Sequence, residues 1–128
     1  MEIEFVESKV LSLSFLTEQK DLEDNLNLQY ALAFAVDDKN KFVVKFDVKL
    51  TFESGAAISL EYAGLFETNV EMTEEFKQGH FVSVNAPAIT FPYLRSFITT
   101  FTANAGLEPV ILPTVNFQAI AAKAAETA

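Results

Sequence analysis

Between Lys41 and Phe52 the chain alternates without a break. Phe42, Val44, Phe46, Val48, Leu50 and Phe52 fall on one side, and Lys45, Asp47, Lys49 and Thr51 on the other. Successive side chains leave a pleated strand on opposite faces, so this pattern predicts a strand with one dry face and one in water.

The same period runs from about Leu26 to Val36. Leu26, Leu28, Tyr30, Leu32, Phe34 and Val36 lie opposite Asn27, Gln29, Ala31, Ala33 and Ala35. The polar stretch Asp37-Asp38-Lys39-Asn40 joins the two strands as a hairpin. A third strand, Ala56 to Phe66, follows the turn signal Glu53-Ser54-Gly55. Connections this short exclude a crossover helix and predict an antiparallel meander. Near the start, Ile3 and Phe5 share parity with Leu11, Leu13 and Phe15, but Glu7 and Lys9 interrupt them. One long strand with a bulge or bend near Ser8 accounts for this. Thr17 to Asn25 is an acidic, solvated connection.

After Val70 the period changes. Thr73 is placed to cap the short turn Glu74-Glu75-Phe76-Lys77, with Gly79 as a stop. The principal helix is expected from Ala88 or Pro92 to Asn104, because Leu94, Phe97, Ile98 and Phe101 recur at three- and four-residue spacing. Pro92 suits its first turn, or kinks it if the helix starts earlier. The other face, Ser96, Thr99, Thr100 and Ala103, is small and uncharged, and faces either a second subunit or water. Gly106 ends the helix, Pro109 and Pro113 keep the next segment extended, and Val115-Asn116-Phe117 opens a short helix expected to fray at its end. The fold class is therefore α+β, in a single domain over residues 1–128.

Charge and composition narrow the function. The chain carries 18 Asp and Glu against nine Lys and Arg, a formal charge of -9, and Arg95 is its single arginine. Such a surface repels a phosphate backbone and cannot assemble an arginine cluster, so nucleic acid is not an expected partner. With no cysteine there is no disulfide framework or thiol nucleophile. The start MEIEFVES is unlike a signal peptide, and no apolar run has membrane-spanning length, so the expectation is a cytoplasmic protein without membrane insertion.

Chemistry is sparse. His80 is the lone histidine, which rules out a two- or three-histidine metal site within one chain. No serine sits in a nucleophile-elbow sequence, the adjacent acids Asp37-Asp38 and Glu74-Glu75 read as solvated turns, and the glycines at 55, 64, 79 and 106 are isolated. No catalytic, metal or cofactor residues are expected, and the chain is not read as an enzyme. The surplus is aromatic: 13 Phe, three Tyr and no Trp. Phe81, Phe91, Tyr93, Phe97, Phe101 and Phe117 crowd the second half, where they either fill a core or line a groove or subunit interface.

From His80 to Phe117 the chain holds Pro87, Ile89, Phe91-Pro92-Tyr93, Arg95, Ile98-Thr99 and Val115-Asn116-Phe117, and an earlier strand ends Leu60-Glu61-Tyr62-Ala63-Gly64-Leu65-Phe66. This run of aromatic-Pro-Tyr-x-Arg, x-x-Ile-Thr and a Pro-rich loop into Val-Asn-Phe resembles the bacterial SecB export-chaperone family. The resemblance implies a four-stranded antiparallel sheet with a long helix packed on one face, assembled as a dimer of dimers. It also implies a holdase that binds unfolded polypeptide clients in apolar grooves near the helix and, in the secretion member, passes them to the translocase motor.

On that reading Phe81, Phe91, Tyr93, Phe97 and Phe101 are candidates for polypeptide binding, and Ser96, Thr99, Thr100 and Ala103 for a homodimer or homotetramer interface. No cofactor is implied. Where the secretion chaperone carries acids that help dock the motor, this chain has Val10, Ser14 and Ser59, and the family's C-terminal extension is reduced to Ala121 through Ala128. Both departures weigh against the motor as a partner. The alternatives are a chaperone dedicated to one partner, such as an antitoxin, and a structural or small-ligand domain of the same fold.

Overall fold

The computed structural model describes the backbone of residues 1–127 and the side chains of residues 1–124. The chain falls into two compact units, Met1–Glu71 and Met72–Ala128.

The first unit is a four-stranded antiparallel sheet of β1 (Ile3–Leu16), β2 (Asn25–Phe34), β3 (Lys41–Thr51) and β4 (Ala57–Thr68), in the order β1-β4-β3-β2. The β2-β3-β4 meander is as the alternation predicts. Burial along β3 alternates residue by residue, with Phe42, Val44, Phe46, Val48 and Leu50 all buried. Register also aligns the aromatic rings. Phe34, Phe42, Phe66 and Phe5 are successive cross-strand partners over all four strands. Their centroids are 5.9, 5.0 and 5.2 Å apart along that row. Cross-strand aromatic pairs contribute roughly 0.2–1 kcal/mol each, so part of the phenylalanine surplus serves the sheet itself.

Strand β1 carries two bulges, between Phe5 and Glu7 and between Val10 and Ser12, rather than one irregularity near Ser8. Each extra residue reverses the side-chain parity. Ile3 and Phe5 therefore share a face with Ser8 and Val10, and then with Leu13 and Phe15. Leu11, expected on the dry face, is an unpaired bulge residue and is exposed.

Because β1 pairs with β4, the acidic connection Thr17–Asp24 must cross the end of the β3–β4 hairpin. It is fastened there at three points. The Gln19 N–H donates to the Gly55 carbonyl at 2.9 Å. The Thr51 hydroxyl donates to the Glu23 carbonyl at 2.6 Å, and the Glu53 N–H donates to Asp24 Oδ1 at 2.8 Å. Gly55 has φ +101°, and a Cβ there would sit 2.9 Å from the Gln19 oxygen, so the turn requires glycine.

The second unit contains α1 (Glu74–Lys77), a π-helical turn at Phe81–Asn85, α2 (Ala86–Asn104) and α3 (Phe117–Thr127). Thr73 caps α1 as expected, accepting from the Phe76 N–H at 3.1 Å. Helix α2 begins at Ala86, not at Ala88 or Pro92, and continues directly from the π-helical turn. Pro92 thus lies inside the helix, where it offers no N–H to the Ala88 carbonyl. Gly106, at φ +83°, ends α2, and the Leu107 N–H closes back on the Thr102 carbonyl at 3.1 Å. Asn116 begins α3 by accepting from the Ala119 N–H at 3.0 Å. The end where fraying was expected, at Ala128, lies outside the described residues.

Candidate functional site

Residues four apart on a helix stand one above another, so α2 is best described in rows. The row Ala86, Thr90, Leu94, Ile98 and Thr102 is buried, with Pro87 and Phe91 beside it. Its two hydroxyls are satisfied within the helix. Thr90 donates to the Ala86 carbonyl at 3.0 Å, and Thr102 to the Ile98 carbonyl at 2.8 Å.

Along one flank of this buried row runs a second, Ile89, Tyr93, Phe97 and Phe101. Ile89 is 39% exposed and Tyr93 49%, while Phe97 and Phe101 are half-buried with their rings stacked at 5.9 Å. This is an apolar ridge with a hydroxyl at Tyr93. Ile89 carries part of the family resemblance but was not named as a binding candidate from the sequence, although its four-residue step from Tyr93 was the signal for it.

The remaining sequence candidates lie elsewhere. Phe81 sits on the π-helical turn, half-buried and stacked on Phe76 at 6.1 Å. Phe91 is only 5% exposed and meets Phe117 edge-on at 5.6 Å. It fills the interior of the helical unit, because its position on α2 falls beside the buried row rather than on the ridge. The sequence candidates thus separate into a ridge of Tyr93, Phe97 and Phe101, one aromatic on the preceding turn, and one packing residue.

On the far side of α2, Pro92, Arg95, Ser96, Thr99, Thr100 and Ile111 line a shallow groove of about 340 Å³. Two threonines hold the neighbouring loop in place. Thr99 donates to the Val110 carbonyl at 2.7 Å, and the Val110 N–H donates to Thr102 Oγ1 at 2.9 Å. The clamp leaves Ile111 at the groove and 72% exposed. Ser96, Thr99 and Thr100 are brought together as the helical spacing predicts. Ala103 is exposed but does not line the groove.

The electrostatic setting differs between the units. After Glu71 the only acids are Glu74, Glu75, Glu108 and Glu126, against Lys77, Arg95 and Lys123, so the helical unit is nearly neutral and the sheet unit carries most of the negative charge. Among the described residues no cluster of three or more His, Asp or Glu side chains could hold a metal ion. No described helix is long and apolar enough to cross a membrane. On the sheet, burial pushes the Tyr30 phenol above its ordinary value of 10.0.

The family model for preprotein translocase subunit SecB matches residues 6–128. The chain belongs to the SecB family. It is 36% identical over 97 residues to the uncharacterized protein MJ0357 of Methanocaldococcus jannaschii, covering 72% of this chain and 61% of that protein. It is 29% identical over 108 residues to the protein-export protein SecB of Cereibacter sphaeroides, covering 78% and 64%. The chain therefore spans less than two thirds of the length of these curated relatives.

Among solved structures, the Mycobacterium tuberculosis Rv1957 SecB-like chaperone, in complex with a ChAD peptide from the HigA1 antitoxin, matches with a TM-score of 0.70 at 18% identity. The match covers 88% of this chain and 90% of that one. A Streptococcus agalactiae protein of unknown function matches with a TM-score of 0.60 at 13% identity, covering 89% and 98%. At these identities the likeness is one of fold. Ser14 lies directly opposite Ser59 with both exposed, and Val10 lies opposite Tyr62.

Proposed function

We propose that this SecB-family chain is a holdase, binding extended apolar polypeptide without turning it over. The observation that carries this reading is the ridge of Ile89, Tyr93, Phe97 and Phe101, which leaves aromatic and aliphatic surface in water on a helix with little charge. Covering apolar area contributes about 25 cal/mol per Å², and an aromatic side chain offers ~150–250 Å² in all. Ordering a flexible client opposes binding, so several such side chains in a row are needed, and the ridge supplies them. The Tyr93 hydroxyl adds a donor for a client carbonyl.

The working form in this proposal is a homodimer or homotetramer. Two surfaces support self-association: the groove lined by Ser96, Thr99 and Thr100, and the exposed Val6, Leu11, Leu13 and Leu16 of β1. Docking to a translocase motor is weak in this reading, because Ser14, Ser59 and Val10 bring no carboxylate to a basic partner.

The test is calorimetric titration with a permanently unfolded polypeptide and with its folded counterpart. Binding to the first and not the second supports the holdase. Absence of binding to either removes it.

A further inference from the structure

A π-helical turn holds one residue more than an α-helical turn, so it shifts the angular phase of the residues before it. At Phe81–Asn85 the turn closes with the Ala86 N–H donating to the Phe81 carbonyl, a five-residue step, and α2 continues directly from it. Phe81 therefore stands to Ala86 as the fourth residue back would on an unbroken α-helix.

At about 3.6 residues per turn, that places Phe81 roughly 20° round the helix from Ile89, on the side of Tyr93. Without the extra residue Phe81 would lie about 80° to the other side of Ile89, and Val82 would take the place between Ile89 and Tyr93. Burial follows the shifted phase. Val82 is 0% exposed and Phe81 is half-buried, whereas Ile89 and Tyr93 are 39% and 49% exposed.

We infer that the π-helical turn brings Phe81 into line with the ridge of Ile89, Tyr93, Phe97 and Phe101, and that Phe81 is the far anchor for the client. The inference rests on the holdase reading and sets the length of segment held. From Ile89 to Phe101 the ridge spans about 18 Å, which an extended chain covers in about five or six residues. From Phe81 it spans about 28 Å and takes about eight or nine. Phe76, stacked on Phe81 at 6.1 Å, supports the added ring from α1.

The probes are two uncharged peptides of alternating Leu and Ser, six and ten residues long and capped at both ends, titrated by calorimetry into the full chain. The parent is expected to bind the ten-residue peptide at least tenfold more tightly than the six-residue one. Phe81→Ser should remove that advantage and leave the six-residue affinity unchanged, and Phe81→Leu should retain it. Deleting Val84 reduces the π-helical turn to an α-helical one and keeps the phase of Phe81, so the advantage should survive. Equal affinity of the parent for both lengths overturns the assignment of Phe81 while leaving the holdase intact. So does a Phe81→Ser variant that keeps the advantage or weakens both peptides alike. Loss of the advantage on deleting Val84, in a variant with the parent's circular dichroism and six-residue affinity, shows that the phase does not place Phe81 and also overturns it. Failure of the parent to bind either peptide or any unfolded polypeptide removes both readings.

Discussion

The Tyr62 hydroxyl donates a hydrogen bond to Ser8 Oγ at 2.8 Å. Ser8 can reach it only because the bulge after Phe5 turns residue 8 onto the same sheet face as Tyr62, which is buried. A polar residue in an apolar row is thus tied to the phenol of the strand beside it. Replacing Ser8 by Ala is expected to cost about 1 kcal/mol of stability, since a partly buried hydroxyl loses its acceptor. In a Tyr62→Phe background the same replacement should cost little. Urea unfolding of the two single variants and the double variant measures this coupling, and equal costs in both backgrounds would show that the bond contributes nothing.

Gly55 is expected to tolerate no side chain. Its positive φ and the 2.9 Å approach to the Gln19 oxygen mean that Gly55→Ala should destabilise the sheet by roughly 1–3 kcal/mol. Thermal unfolding checks this, and a melting temperature equal to that of the parent would show that the β1–β2 connection is not fastened to the hairpin.

Alkaline stability should depend on Tyr30. Its phenol titrates later in the folded chain than in the unfolded one because burial disfavours the phenolate. The unfolded state therefore releases its proton first, and stability falls as pH rises through about 10. Tyr30→Phe is expected to flatten that decline and to leave the profile near neutrality unchanged. Denaturant melts across pH 8 to 11 give the result, and identical profiles would contradict it.

Much of the sheet was legible because β3 and β2 obey a strict period of two from end to end. Strand β1 was not, because its two bulges each reverse parity, so the outer segments agree with one another while Ser8 and Val10 between them do not. The π-helical turn at Phe81–Asn85 was also missed: Val82 and Val84 favour a strand in isolation, and Val82 is helical here within a fully buried setting. The site was partly legible. Four-residue spacing links Tyr93, Phe97 and Phe101, but Phe91 is the same residue type on the same helix, and only its angular position beside Leu94 and Thr90 assigns it to the interior.

That difference gives a further test within α2. Phe91→Ala is expected to cost about 3–5 kcal/mol, as for other buried aromatic truncations. Tyr93→Ala, at an exposed position, should change stability by less than about 0.5 kcal/mol. Similar losses from both would contradict the division between packing residue and ridge.

The most direct measurement of the central claim is the aggregation of a slowly folding client in the presence of this chain, followed by light scattering. The parent protein is expected to suppress aggregation near stoichiometric amounts. A Tyr93→Ser, Ile89→Ser variant that keeps the parent's circular dichroism and assembly state should need at least tenfold more protein for the same effect. A parent chain that leaves aggregation unchanged would contradict the holdase, and a ridge variant as active as the parent would show that the ridge is not where the client is held.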